Sequence, residues 1–333
     1  NPHIKLFKII IINIYIYYTT MNKAIKRVCN IDIKRYNDDK TLLNNSGIFA
    51  YFDDDDIMNC KAMIIGPEDT PYAHGILFFD IHFTNLYPFE PPKVKYISNS
   101  MTRLHPNLYV NGKVCLSILG TWHGPGWTPT MNIISLLTTM QSLLTSNPIE
   151  HEPHYEKETG TLSKIYIDII KYEKFKSLII GRYMNLRPDL QQFKIDMIRY
   201  MLINKAKIMS LLTDNKKNDM KIVFSKVYSQ HVRVDWSGLP DKLYNIFKDI
   251  DVQCQEDPTI MSNTDIPSEP VPMVVNPITP PTAPITPKKK YQRKCPNNPA
   301  KMYDNAFTLL SENDNKLYIV KEYTVKDKLV KRW

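Results

Sequence analysis

The sequence predicts an α+β fold: an N-terminal helix, four short strands and then helices, followed by an extra helical region and a small terminal module. Three observations predict it. Residues 24–36 repeat apolar side chains at helical intervals. Residues 47–97 hold four short runs rich in Ile, Phe, Tyr and Val, parted by turn residues. Helical spacing returns at residue 131 and recurs as far as residue 250.

In the first helix the apolar positions are Ala24, Ile25, Val28, Cys29, Ile31, Ile33 and Tyr36, with Lys23, Lys26, Arg27, Lys34 and Arg35 between them as a basic face. Strands are expected at 47–52, 60–65, 76–83 and 93–97. The acidic run Asp53–Asp56 reads as a solvated hairpin tip. Gly66-Pro-Glu-Asp-Thr-Pro71 and Tyr87-Pro-Phe-Glu-Pro-Pro92 cannot be central strands, because proline lacks the amide donor a ladder needs. Over 131–145 the helical spacing puts Met131, Ile134, Leu137, Met140, Leu143 and Leu144 on one side, a stripe that reads as core. Later helices are expected at Ile165–Tyr183, Leu190–Leu212 and Asp241–Ile250. The second of these places Leu190, Phe193, Met197, Tyr200 and Met201 on one face.

The two ends differ from this. The apolar stretch Ile9–Tyr18 is broken by Asn13, is short for a membrane span and has no small-residue cleavage site. Residues 1–20 are expected to be a leader outside the native fold; a membrane-associating anchor is the alternative. Nine of the thirty residues 258–287 are proline and none is glycine, the composition of a semi-rigid extended linker. Lys288-Lys-Lys-Tyr-Gln-Arg-Lys294 follows, either a nucleic-acid or import patch or simply a solvated linker end. Alternation over Leu317–Val325 predicts a β-rich module. The expected divisions are leader 1–20, core 21–165, helical extension 166–250, proline-rich then basic linker 251–300, and terminal module 301–333.

Net charge is +9, which suits acidic partners, although Lys is abundant throughout the chain. The five cysteines, at 29, 60, 115, 254 and 295, form no C-x-x-C pair and point to neither a disulfide framework nor a zinc finger. They fit a reducing compartment, cytoplasmic or nuclear. His151-x-x-His154 has the spacing of a metal pair, but Pro153 spoils the helix it would need. No glycine-rich phosphate loop occurs, so no cofactor is expected and ATP use by this chain is not.

Cys115 carries the clearest chemistry. It follows the tight-turn signal Asn111-Gly112, and Gly120, Gly124, Pro125 and Gly126 flank it on the other side. Asn107 offers an amide to an oxyanion or to nearby backbone. His105 is a candidate base, though orienting the loop is the plainer role. A cysteine hydrolase would need a histidine at the thiol, and His105, His123, His151 and His154 are available. No cysteine-protease signature surrounds Cys115, and a thioester that must survive gains nothing from a strong base beside it.

His105-Pro-Asn107 followed by Gly112-Lys-Val-Cys-Leu116 resembles the active-site signature of ubiquitin-conjugating enzymes. Gly66-Pro-Glu-Asp-Thr-Pro-Tyr72, Tyr87-Pro-Phe-Glu-Pro-Pro92 and Trp127-Thr-Pro129 resemble further family motifs, in the family's order, over roughly residues 22–165. The resemblance implies a ubiquitin-conjugating fold: N-terminal helix, four-stranded antiparallel meander, active-site loop, C-terminal helices. It implies that Cys115 accepts ubiquitin or a relative from an activating enzyme, which consumes the ATP, and passes it to a substrate lysine, usually with a ligase bound. Asn107 would support the oxyanion or the loop. Lys26 and Arg27 match positions that meet the activating enzyme. Phe89 and Pro129 match the loops that meet ligases. Glu150 falls where many relatives carry an acidic residue and would serve as general base, with His151 the alternate. Gly120-Thr-Trp-His-Gly-Pro-Gly-Trp127 resembles a large branch with C-terminal helical extensions. His74 departs from a frequent glycine and puts that loop's shape in question. The ending after Cys295 resembles terminal modules of large DNA-virus proteins. Alternatives are conjugation of another ubiquitin-like modifier, a non-catalytic binding module, and added nucleic-acid binding through residues 288–294.

Overall fold

The computed structural model describes residues 23–215 and 221–261, together with the strand backbone at 308–310, 317–319, 321–325 and 328–332. The leader, the linker from residue 262 on and the basic run 288–294 lie outside the described residues; residues 251–261, expected as linker, instead continue the last helix to Glu256 and bury Ile260 in the fold. The chain divides into two compact units, Asn1–Pro272 and Met273–Trp333.

In the first unit, β1 (Ile48–Phe52), β2 (Asn59–Ile65), β3 (Ile76–His82) and β4 (Lys93–Ile97) form an antiparallel meander in sequence order. Turn chemistry closes the first hairpin. Asp53 Oδ1 accepts from the amides of Asp55 and Asp56, and Asn59 N donates to Asp56 O. The four strands fall within a residue of their expected bounds.

Both faces of this sheet are buried. Ile48, Ala50, Ala62, Ile64, Leu77, Phe79 and Ile81 share one core with Val28, Tyr36, Leu136, Leu137 and Met140. Phe49, Met63, Ile65, Ile76 and Phe78 point the other way, into a second core with Phe175, Phe193, Met197, Trp236 and Phe247. This is why β3 reads as an almost unbroken apolar run instead of an alternating one. The second core is supplied by the region after residue 165. Phe193 meets Tyr51 and Phe78 at ring separations of 4.9 and 5.3 Å, and Tyr51 Oη donates to Asp196 at 2.5 Å.

Three further expectations need correction. The N-terminal helix contains a π segment, Val28–Ile33, whose extra residue shifts the helical phase. Asp32 is thereby buried, while Cys29 is exposed. Around helix Ile133–Ser142 the expected stripe is incomplete: Leu137, Met140, Leu143 and Leu144 lie in the core and Met131 and Ile134 pack against it, but Ile133 and Leu136 are also fully buried. Asn132 caps this helix, its side chain accepting from Ser135 N at 3.1 Å. The extension is not wholly helical. Besides Thr161–Glu173, the π segment Lys174–Gly181, Lys194–Ile203, Lys205–Asn215 and Leu239–Glu256, it holds a hairpin, β5 (Lys221–Ser225) with β6 (Gln230–Val234). Val232 and Val234 bury the inner face of that hairpin.

The His74 loop keeps a glycine-like conformation, with φ of 65°. The extension holds it there, since Tyr200 Oη lies 2.8 Å from His74 Nδ1. In the second unit the backbone pairs Thr308–Leu310 with Leu317–Ile319, and Lys321–Val325 with Lys328–Arg332, both antiparallel.

Candidate active site

The segment carrying Cys115 leaves β4 and returns along it. Lys95 bridges to Lys113, and Tyr96 N donates to Gly112 O at 2.9 Å. The turn Asn111-Gly112 makes this return, with Gly112 at φ 95°. A Cβ there would come within 2.8 Å of Lys95 Cγ and 3.0 Å of Tyr96 O, so only glycine fits. Leu108 then pairs with Val114, bringing Asn107 level with Cys115.

Asn107 and Cys115 are joined twice. Cys115 N donates to Asn107 O at 2.9 Å, and Asn107 Nδ2 donates to Cys115 O at 2.7 Å. Asn107 Oδ1 is buried and has no partner. On the far side Thr121 Oγ1 accepts from Leu116 N at 2.9 Å and donates to Val114 O at 2.8 Å. The backbone on both sides of Cys115 is thus fixed by side chains, and Cys115 itself is 1% exposed.

His105 is no base. Its Nδ1 accepts from Asn107 N at 2.9 Å, and its Nε2 faces Leu143 O at 2.8 Å. An amide on one side and a carbonyl on the other require the neutral Nε2–H tautomer. Burial, with His151 and Arg103 nearby, pushes its pKa down to about 3. Both nitrogens are committed, so the role expected for a base gives way to the structural one. Tyr72 supports the same loop, donating to Leu104 O at 2.6 Å with its ring 6.0 Å from that of His105.

His151 lies next to His105, with ring centroids 5.2 Å apart. Burial lowers its pKa, against the pull of Glu150 and Leu143. The Glu150 carboxylate is 3.9 Å from His151 Nε2 and partly exposed. Among the described residues no hydrogen bond or ion pair joins Glu150 to Cys115.

The four candidate partner residues fare differently. Lys26 is exposed. Phe89 is 75% exposed, and Pro129 is exposed as well. Their two loops are tied together, because Trp127 Nε1 donates to Pro88 O at 2.8 Å. Arg27, by contrast, is turned inward. Its guanidinium donates to Met131 O at 2.7 Å and lies 3.6 Å from buried Asp32. That gap is too long for a good hydrogen bond. Burial outweighs the attraction and raises the Asp32 pKa. Asp32 Oδ1 accepts from Tyr87 Oη at 2.6 Å and from Ile133 N at 2.8 Å. Arg27 and Asp32 therefore join the N-terminal helix to the Phe89 loop and to the start of the core helix. Sequence reasoning gave no role to Asp32 or Thr121, and met Tyr72 only as the end of the Gly66–Tyr72 motif. The first had a signal: Val28, Asp32 and Tyr36 recur every fourth residue.

A profile of the family described as ubiquitin-conjugating enzyme matches residues 32–177. Ubiquitin-conjugating enzyme E2 Z of Homo sapiens is 44% identical over 133 residues, 39% of this chain and 38% of that protein. The chain thus spans less than half the length of that relative. The putative ubiquitin-conjugating enzyme E2 38 of Arabidopsis thaliana is 36% identical over 191 residues, 54% of this chain and 57% of that protein. The dual E2 ubiquitin-conjugating enzyme/E3 ubiquitin-protein ligase BIRC6 of Homo sapiens is 43% identical over 181 residues, 51% of this chain and 4% of that protein.

Proposed function

This chain belongs to the ubiquitin-conjugating enzyme family through residues 32–177, and from that premise we propose that Cys115 carries ubiquitin, or a ubiquitin-like protein, as a thioester and passes it to a substrate lysine. The observation that carries the reading is the double tether between Asn107 and Cys115, in a site whose motif histidine, His105, is neutral and hydrogen-bonded through both ring nitrogens. A thiol held this way, with His105 committed to other bonds, suits an acyl carrier better than a hydrolase, which would need a histidine free to meet the thiol.

In the first step the Cys115 thiolate attacks the modifier's C-terminal carbonyl on the activating enzyme, and that enzyme's thiolate leaves. In the second a lysine amine attacks the new thioester. A tetrahedral oxyanion forms and collapses, expelling the Cys115 thiolate, while the amine loses its proton. Asn107 holds the loop through one amide hydrogen, and its second is available to the oxyanion. Glu150, partly exposed and beside His151, is the proposed acceptor of the amine proton. Lys26 is proposed to meet the activating enzyme, and Phe89 with Pro129 the ligase; their exposure supports this. The free thiols at 29, 60, 115 and 254 support a cytoplasmic or nuclear setting.

The test is a charging assay with activating enzyme, ATP and a panel of modifiers. A reductant-sensitive adduct is expected. Cys115→Ala should abolish it and Cys115→Ser should leave an ester that reductant does not cleave. An adduct that persists in Cys115→Ala would move the chemistry to another residue.

A further inference from the structure

The extension meets the active-site segment at Arg103, two residues before His105. The guanidinium carbon sits 3.7 Å from the ring centroid of Tyr109 and 4.3 Å from that of Tyr228, so the plane is sandwiched between two aromatic faces. Tyr109 lies on the arm leading to Cys115 and donates its amide to Lys113 O at 2.9 Å. Tyr228 lies in the turn of the β5–β6 hairpin, outside the stretch matched by the family profile. The guanidinium also donates to Pro106 O, within the His105-Pro-Asn107 motif itself.

Two further contacts fix the same junction. Gln230 reads the backbone of Arg103 on both sides, Oε1 accepting from its N–H at 3.1 Å and Nε2 donating to its carbonyl at 3.4 Å. Tyr228 Oη donates to Glu152 Oε2 at 2.6 Å, and that carboxylate oxygen is 3.8 Å from the Arg103 guanidinium. Glu152 follows directly on Glu150-His151. One hairpin turn therefore holds the motif that tethers Cys115 and the segment proposed to receive the amine proton. Tyr166, on helix Thr161–Glu173, backs the turn by donating to Arg103 O at 3.2 Å, with its ring 5.7 Å from Tyr228. A planar, always-charged group suits this slot; a lysine ammonium would fill the charge but not the sandwich.

We propose that Arg103 is a positioning residue and that the Tyr228–Gln230 turn is a clamp that sets the active-site segment, so that the extension takes part in transfer. The proposal rests on the thioester reading. Receiving a modifier needs only a reachable thiol, whereas discharge needs the thioester and the Glu150 segment in register. Release of the clamp should therefore slow discharge more than charging.

The test uses the full chain with Tyr228→Ala, Tyr228→Phe and Arg103→Lys. The first readout is single-turnover discharge of preloaded thioester to free lysine. Tyr228→Ala and Arg103→Lys should each slow it by about tenfold, more than they slow charging, because small misplacements cost heavily in rate. Tyr228→Phe keeps the stacking face and should recover most of the loss. The second readout needs no activity: peptide-resolved alkylation of Cys115 relative to Cys60, which is buried in the sheet. That ratio should rise by about tenfold in Tyr228→Ala, as expected when a local opening becomes cheaper. Unchanged discharge and an unchanged alkylation ratio in Tyr228→Ala would overturn the clamp. A Tyr228→Phe variant as slow as Tyr228→Ala would overturn Arg103 as the positioning residue, since the hydroxyl bond to Glu152 and not the stacked ring would then be the contact that matters. A wild-type chain that never charges would sink the thioester reading, while the alkylation ratio would still decide the clamp.

Discussion

At the scale of single residues, the site turns on what each polar atom is already bound to. His105 looks like a base in sequence and is a bracket in the fold, because the Asn107 amide and the Leu143 carbonyl occupy both ring nitrogens. Its pKa of about 3 means it stays neutral at any pH where the protein works. The discharge rate between pH 6 and 8 is thus expected to show no inflection that His105→Asn removes; one that vanished with the substitution would restore His105 as a base. The same substitution should cost about 2 kcal/mol of stability, read from the urea midpoint, since it strands buried partners. Asn107 has a divided role. Asn107→Ala breaks the 2.7 Å bond to Cys115 O and removes the spare amide hydrogen, so lysine discharge should slow more than charging. Equal slowing would leave Asn107 as a loop tether alone. Cys115, Asn107 and the surrounding turn were legible because their chemistry is local: the Asn-Gly turn, a thiol and an amide lie within nine residues of each other. The bonds of Asp32 were not, because its partners Tyr87 and Ile133 lie far along the chain, and Thr121 was not because nothing in its residue type marks the bonds it makes to Val114 and Leu116.

Elements were legible where one local rule governs them. Proline and glycine bound the strands, and the return at Gly112 has a single solution. Gly112→Ala should destabilise by about 1–2 kcal/mol from its left-handed conformation alone, and by more where the added carbon meets Lys95 and Tyr96, with thermal unfolding as the measure. An unchanged midpoint would mean the turn rearranges. Asn132→Ala should cost about 1 kcal/mol through the lost cap on the core helix. The misreadings share one cause. A π segment in the N-terminal helix and the hairpin at 221–234 both depend on what packs against them, which periodicity does not report. The β5 strand alternates only weakly, and its exposed Ile222 and Phe224 obscured the pattern. Likewise the unbroken apolar run of β3 records two cores, but the second becomes visible only when the extension is in place.

Over the whole molecule, the extension both completes the fold and alters how it responds to acid. His74 and His105 are buried and neutral, with pKa values pushed down by burial to about 4 and about 3, and burial lowers His151 as well. In the unfolded chain each histidine titrates near its ordinary value of about 6.5. Below that pH the unfolded state takes up protons that the folded state refuses, so stability is full above pH 6.5 and falls as pH drops toward the folded values. At pH 5, His74 and His105 should each account for a loss of about 2 kcal/mol relative to pH 7. Lys174, whose burial lowers it to about 8, is charged throughout this window and leaves the slope unchanged. Asp32 and Asp196, whose carboxyls burial pushes up, act in the opposite sense as the pH nears the carboxylate range. Urea titrations at pH 7, 6 and 5 should therefore show a midpoint that falls steadily. His74 is the histidine that answers to the extension, through its 2.8 Å contact with Tyr200. Tyr200→Phe deletes that contact and should lower stability at pH 7 by about 1 kcal/mol. If the fall between pH 7 and 5 were absent in the wild type, these histidines would have to be solvated, and the packing of the extension against the His74 loop would be wrong.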